Sequence, residues 1–404
     1  MKSLLRKLRI PVTARDWHSL IAMVFLLVLM FLFVTGTLSV FAREIDRFVT
    51  PEQSVVVGPE GKRAFGAVYD AVEAAYPDAR QLAILRQPGA KFADQVTVAT
   101  AGQGRSLVYV DPYRATVQGT GPVKNLWLTL RELHRGLSSE RRKVQFAVTL
   151  MTLPLALLLV TSLMLHRKFY LGFFRLPRRG ARLRAQLGDL HRLIGAWSVV
   201  FLTVLVVTSA EFMIEFTGFG PGPYPSYTEA AAPGAAALPA GFTGTDLDRA
   251  VALATETFAD LRITDIALPA AAGQPLVMRG DLTSPVVRSV ANAVYVDPAT
   301  LTLRGAHRAE TIGAPQWLFE AMRVIHYGSF GGVASRILWL IFGLALSVLA
   351  ALGALIYAER LIFMSERSDK YTRRSRLGHI WSGMGVGKWI GLAGFAATLW
   401  WTIW

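Results

Sequence analysis

The sequence contains no cysteine. That removes disulfides, thiolate metal sites and cysteine-held iron–sulfur clusters together. Any redox chemistry must run through a cofactor held by nitrogen or oxygen ligands. Acidic residues are scarce, with 28 Asp and Glu against 43 Lys and Arg and a net charge of +15. Nucleic acid is one partner for such an excess. The basic residues, however, cluster beside apolar runs, where anionic lipid and membrane topology account for them. No nucleic-acid partner is expected. Charge of either sign is thin at 18%, while 52% of residues are hydrophobic and the mean hydropathy is positive. The composition is that of a membrane protein. No nucleotide-binding glycine pattern is present: Gly383-x-Gly385-x-Gly387 follows no strand. No Ser/His/Asp arrangement can be assembled.

What is present is a set of long apolar runs. Leu20 to Phe41, Val144 to Leu165, Leu193 to Ala210 and Ile337 to Ala358 carry no charge until their ends. A helix of ~20 apolar residues crosses a bilayer core, so four spans are expected. The first could be a signal peptide, with Val40-Phe41-Ala42 as a cleavage site. It is long for an apolar region of roughly 7–15 residues, and its twin in mid-chain cannot be one. It reads as a retained span. The run Trp389 to Trp404 is short for a span and is a candidate fifth helix; Trp400, Trp401 and Trp404 suit an interface belt.

The chain then divides as follows. Residues 1–42 hold a basic N-terminus (Lys2, Arg6, Lys7, Arg9, Arg15) and the first span. Residues 43–125 form an α+β domain, with a helix from Arg63 to Tyr76 and strands at Leu82–Leu85, Gln95–Ala99 and Ser106–Val110. Residues 126–166 carry an amphipathic helix (Asn125 to Leu137) and the second span. Residues 167–192 are a basic loop, and 193–216 the third span. Residues 217–315 are a second α+β domain. It opens with a Pro/Gly/Ala-rich, weakly ordered linker (Gly218 to Gly244), continues with a helix from Leu247 to Phe258, and has strands at Ile263–Leu268, Leu276–Met278 and Ala293–Val296. Residues 316–358 repeat the amphipathic helix and add the fourth span; 359–404 are basic and end in the candidate fifth helix. The N-terminus, the 167–192 loop and the 359–388 segment carry the excess Lys and Arg and belong in the cytoplasm. Arg141, Arg142 and Lys143 count against this and are outnumbered. Both α+β domains then face outward, into the periplasm of a Gram-negative cell.

The second half copies the first. Asp16-x-His18 and the apolar run ending in Val34-Thr35 recur, without gaps, as Asp189-x-His191 and the run ending in Val207-Thr208. Val108-Tyr109-Val110-Asp111-Pro112 recurs as Val294-Tyr295-Val296-Asp297-Pro298. Arg131-x-x-His134-x-Gly136 recurs as Arg323-x-x-His326-x-Gly328. Each half starts and ends on the same side, so the halves are parallel repeats about a pseudo-twofold along the membrane normal. The expected fold is an α-helical membrane bundle of four core helices with two outer α+β domains.

Such a repeat sets mates at equal depth. His18 faces His191 near the cytoplasmic surface, and His134 faces His326 near the outer one. Two imidazoles facing each other can take both axial positions of one haem iron, so four histidines make two such sites. Taken singly, a histidine at a helix end is more often an interfacial polar residue or a cation near a helix terminus. Duplication also preserves structural residues, so symmetry alone does not prove ligation. His166 closes the second span and can replace His18 or His191, or simply cap the helix. His379 reads as interfacial and His307 as solvated. Arg15, Arg135, Arg192 and Arg323 can pair with haem propionates, although positive-inside charge accounts for Arg15 and Arg192. Glu211 and Glu215, one turn apart on the third span, suit a cation or proton role or mark the membrane exit. Trp127, Trp317 and Tyr327 suit a substrate surface or an aromatic belt.

The motifs Trp17-His18, Leu133-His134, Leu165-His166-Arg167-Lys168-Phe169 through Phe173-Phe174-Arg175, Asp189-Leu190-His191 and Ile325-His326 resemble those of the PepSY-associated transmembrane proteins. That family includes inner-membrane ferric-siderophore reductases. The resemblance covers nearly the whole chain; the long Ala/Pro linker departs from it. It implies two PepSY-like outer domains and two b-type haems on His18, His191, His134 and His326, with His166 a further candidate. It also implies an oxidoreductase of the bacterial inner membrane that takes electrons from a cytoplasmic or membrane donor and reduces an Fe(III) chelate in the periplasm. Two alternatives stay open: a non-enzymatic anchored module that binds a periplasmic partner or protease, and an iron or siderophore transporter component.

Overall fold

A computed structural model describes residues 13–231, 234–282, 284, 286–367 and 374–403. Lys2, Arg6, Lys7 and Arg9 of the basic N-terminus, residues 368–373 of the basic tail, and Trp404 lie outside the described residues. The chain forms two compact units, one from residues 1–41, 129–220 and 325–404, the other from 42–128 and 221–324.

In chain order the first elements are helices α1 (Ala14–Val24), α2 (Leu26–Ser39), α3 (Ala42–Val49) and α4 (Phe65–Ala75). Strands β1 (Ala79–Leu85), β2 (Asp94–Thr100), β3 (Gly104–Asp111) and β4 (Thr116–Pro122) follow. Next come helices α5 (Leu126–Gly136), α6 (Arg142–Thr149), α7 (Thr152–Leu165), α8 (Leu183–Ile214) and α9 (Gly244–Thr257). Strands β5 (Arg262–Ala267), β6 (Leu276–Asp281), β7 (Ala293–Val296) and β8 (Leu303–His307) lead to α10 (Ala314–Tyr327), α11 (Gly332–Arg367), α12 (Arg376–Gly383) and α13 (Gly387–Ile403).

The helical unit carries three stretches long and apolar enough to cross a membrane: Arg142–Leu165, Leu183–Phe219 and Gly332–Arg367. The expected first span is a bent pair instead. α1 and α2 meet at 67°, so the unit holds three spans, or four if the pair counts as one. The break falls at Phe25, whose backbone leaves helical values (φ −97°, ψ 7°). No proline or glycine stands there to announce it. α1 starts on a capping box, with Thr13 Oγ1 accepting from the Asp16 amide and Asp16 accepting from Thr13. The first Asp of the Asp-x-His repeat is therefore a helix cap. The second is used differently. Asp189 is buried and paired with Arg178 (2.8 Å) and Arg192 (2.9 Å). The candidate fifth helix, α13, has 17 residues, short of the ~20 a span needs.

The two α+β stretches do not stand apart as two domains. They merge into one eight-stranded antiparallel sheet of order β4-β3-β2-β1-β5-β6-β7-β8. β1 and β5 join the halves, with Ile84 opposite Ile266. α4 and α9 pack together over one core that includes Val68, Val72, Ile84, Val96, Leu247, Ile266, Leu276 and Met278. The strands expected from β-branched runs are all present. β4 and β8 are additional, and they are the two edges of the sheet. Gly119, Gly121 and Pro122 hide β4 from a pattern reading, and an edge is where such residues are tolerated. Between residues 220 and 243 the described part of the Pro/Gly/Ala linker forms no helix or strand, but it is pinned. Glu229 N donates to Gly273 O (3.0 Å), and Tyr227 packs on Tyr295 with ring centroids 4.8 Å apart.

The repeated Asp-Pro is a pair of matching turns. Asp111 Oδ1 accepts from the amides of Tyr113 (2.8 Å) and Arg114 (3.3 Å). Asp297 Oδ1 accepts from those of Ala299 (2.7 Å) and Thr300 (2.9 Å). Asp297 also takes two N–H groups from Arg304. Burial pushes the Asp297 carboxyl up, but these donors outweigh it and hold the group at about 2, below its ordinary 3.8. A depressed carboxylate stabilises the fold above its unfolded value and loses that contribution as pH falls through its folded value. The contribution at neutral pH is about 2 kcal/mol. The thermal midpoint of the wild type is therefore expected to exceed that of Asp297→Asn at pH 6. The gap should close between pH 4 and pH 2; a gap unchanged at pH 2 would contradict the assignment.

Candidate functional site: facing histidines in the helical unit

His134 lies near the end of α5, and His326 near the end of α10. Their rings face each other with centroids 6.2 Å apart and planes inclined by 37°. Phe212 of α8 stands edge-on to His326 at 5.0 Å. The Trp339 indole donates to the His326 carbonyl (3.0 Å), tying α10 to α11.

Each ring is held from behind by a threonine. His134 Nδ1 lies 3.3 Å from Thr35 Oγ1, and His326 Nδ1 lies 2.9 Å from Thr208 Oγ1. The threonine protons are already committed. Thr35 donates to the Phe31 carbonyl (2.7 Å) and Thr208 to the Val204 carbonyl (2.8 Å), one turn back in each helix. A hydroxyl has one proton, so each Oγ1 must accept from the imidazole. Nδ1 therefore carries the ring proton, and Nε2 keeps a bare lone pair. That is the tautomer a metal ligand needs.

His18 follows the same rule. Its Nδ1 lies 2.9 Å from Thr161 Oγ1, and Thr161 donates to the Leu157 carbonyl (2.7 Å). His191 is the exception: no hydroxyl among the described residues meets its buried Nδ1, and the Leu349 carbonyl beside it is not aligned for a regular hydrogen bond. His191 lies within electrostatic reach of His18 and His166, and His18 within reach of His166. His166 is exposed at the end of α7, with Arg15 and Arg192 nearby.

Other expectations fare differently. Arg192 is engaged by Asp189, and Arg323 donates to the Phe319 carbonyl (2.9 Å); Arg135 is exposed. Glu211 is buried on α8. Trp127 lies under the Arg43 guanidinium at 5.1 Å, while Trp317 and Tyr327 are exposed. His307 is not simply solvated. Its ring stacks on Tyr224 at 4.7 Å, and burial lowers its pKa. His379 is buried rather than interfacial, at 4% exposure on α12. The threonines are what a reading of the histidines missed. Thr35 and Thr208 already closed the repeated pattern, at matched places, without a role. Nothing in the pattern marked Thr161.

Bundled apolar helices together with an antiparallel sheet unit define a multi-pass membrane protein. A family model described as the PepSY-associated TM region matches residues 15–360, and the chain belongs to that family. No curated protein matches it.

Proposed function

We propose that this protein is a b-type haem reductase of the bacterial inner membrane. In this reading His134 and His326 hold one haem, and His18 and His191 a second. Electrons pass from a cytoplasmic or membrane donor to an Fe(III) chelate such as a ferric siderophore. The N-terminus, the 167–192 loop and the tail face the cytoplasm, and the sheet unit, read as two PepSY-like halves from two parallel repeats, faces the periplasm.

The observation that carries the reading is the His134–His326 pair. With metal–imidazole bonds of about 2 Å, two rings sharing one metal from opposite sides have centroids roughly 6 Å apart. The separation here is 6.2 Å. The donor set also fits. The pair offers two neutral nitrogen donors. A bare zinc ion asks for three or four protein ligands. A metal that brings its own four in-plane donors asks for two.

When bound, haem supplies one-electron transfer at each level. The residues of the chain do the rest. His134 and His326 would hold one group and His18 and His191 the other, and groups so held would carry electrons without binding dioxygen. Thr35, Thr161 and Thr208 keep three of the rings in the ligating tautomer. No side chain need supply or remove a proton on the substrate. One electron added to Fe(III) gives Fe(II), which hard oxygen donors hold less well, so reduction alone releases the metal.

The test is a visible spectrum and a vesicle assay. Protein purified from haem-sufficient cells is expected to show sharp reduced b-type bands and two haems per chain. In sealed vesicles an internal reductant should then reduce an external ferric chelate. A colourless protein would end the proposal and favour an anchored module that binds a partner.

A further inference from the structure

We propose that Thr35, Thr161 and Thr208 are positioning residues that fix the ligating tautomer of His134, His18 and His326. We further infer that Gly353 is where the fourth member of the set is missing, which leaves His191 the one ligand with no hydroxyl acceptor behind it. The inference rests on the reading of the histidines as haem ligands, and deepens it.

Three histidines share one local device. A threonine inside an apolar helix donates its proton one turn back and accepts from Nδ1–H. The threonines are themselves buried, at 6%, 8% and 1% exposure for Thr35, Thr161 and Thr208. Water therefore does not compete for the bond. His191 breaks the rule: its buried Nδ1 meets no hydroxyl among the described residues, only the poorly aligned Leu349 carbonyl. The residue facing it explains why. The offset that carries His134 onto His326 also carries Thr161 onto Gly353. Gly353 lies on α11 against His191: a Cβ built there would sit 3.5 Å from His191 Cε1 and 3.9 Å from Nδ1. Glycine within a helix costs about 1 kcal/mol relative to alanine. Here it occupies the place of the missing hydroxyl.

The consequence is electronic as well as geometric. An acceptor on Nδ1–H makes the opposite nitrogen a stronger donor and favours the oxidised metal. Three ligands have a hydroxyl acceptor; His191 has only the poorly aligned Leu349 carbonyl. The inner site is thus built from one firmly held and one loosely held imidazole, and the outer site from two firmly held ones. A Cβ at 353 is sterically open, because 3.5 Å is an ordinary contact. A threonine at 353 could donate one turn back to the Leu349 carbonyl, as the other three do, and accept from His191.

The experiment uses the full chain in two states. In haem-free protein with 15N-labelled histidine, nitrogen shifts report the tautomer of each ring. His18, His134 and His326 are expected as Nδ1–H only, and His191 as a mixture. Gly353→Thr should convert His191 to Nδ1–H. Thr161→Val should release His18 into a mixture, and Thr161→Ser should restore it. In haem-loaded protein, Gly353→Thr should lower the midpoint potential of the inner group and Thr161→Val should raise it, with the outer potential unmoved. A wild-type His191 that is already wholly Nδ1–H would overturn the inference, as would a His18 tautomer indifferent to Thr161→Val. If the protein takes up no haem, the functional reading fails, and the nitrogen shifts still decide the role of the threonines.

Discussion

Replacing His134 by alanine is expected to remove one haem of two and to abolish chelate reduction. The stoichiometry should fall from two per chain to one, and His326→Ala should give the same result. The reason is the proposed sharing of one metal: each ring would supply one of two protein bonds to it, and the partner alone would not hold the group. Even substitutions one shell out from a metal cost on the order of 10–100-fold in affinity or activity, so loss of a direct ligand should exceed that. Reduction of the external chelate should drop at least about 100-fold, on the same grounds. His18→Ala should instead spare the outer spectrum and stop electrons from entering. The two substitutions thus give the same loss of turnover with different residual spectra. A chemical reductant added on the outer side should still reduce the remaining haem of His18→Ala. If His134→Ala and His326→Ala both retain two haems, the rings 6.2 Å apart are neighbours and not co-ligands.

The sequence carried much of this arrangement, and the exceptions have physical causes. Apolar runs of span length are legible because lipid excludes charge over ~20 residues. The 67° bend at Phe25 was not, because no helix-breaking residue marks it. The strands rich in Val and Ile that lie inside the sheet were legible; β4 and β8 were not. An edge strand has one partner and keeps glycine and proline that a central strand would reject. Pattern also placed each α+β stretch in its own domain. What joins them is the β1–β5 pairing, a contact between residues far apart in sequence that local periodicity does not report. At the site, the facing of His134 and His326 followed from matched positions. The tautomer did not, since it depends on where each threonine sends its single proton. The missing acceptor at Gly353 became visible only once Thr161 had a role.

Substituting valine for Gly66 is expected to unfold the sheet unit preferentially. The first turns of α4 and α9 meet at Gly66 and Gly244. A Cβ on Gly66 would overlap the Gly244 carbonyl oxygen, and a Cβ on Gly244 would overlap that of Gly66. Neither contact can be relieved by rotating a side chain, because both partners are backbone. The approach is sealed by a reciprocal pair of caps. Asp248 Oδ1 accepts from the Gly66 amide (2.7 Å), and Asp70 Oδ1 accepts from the Gly244 amide (2.6 Å). Each helix therefore caps the other's N-terminus, where a carboxylate is favoured. Forcing the turns apart costs about 1–3 kcal/mol in overpacking. Stretching the two charged hydrogen bonds adds roughly 1.5–3 kcal/mol each if they are lost. With one of the two bonds lost, Gly66→Val should thus destabilise the unit by about 2.5–6 kcal/mol, and Gly244→Val similarly. Amide exchange in the full-length protein should rise across residues 65–75 and 244–257 together, because one contact holds both helices. Gly222→Ala is the control, since nothing lies within 4 Å of its added Cβ. If exchange rises in one helix only, the caps are not reciprocal and the halves are joined by the sheet alone. If it rises in both, the Gly66–Asp248 and Gly244–Asp70 pairs act with the β1–β5 pairing to make one domain out of two similar stretches of chain.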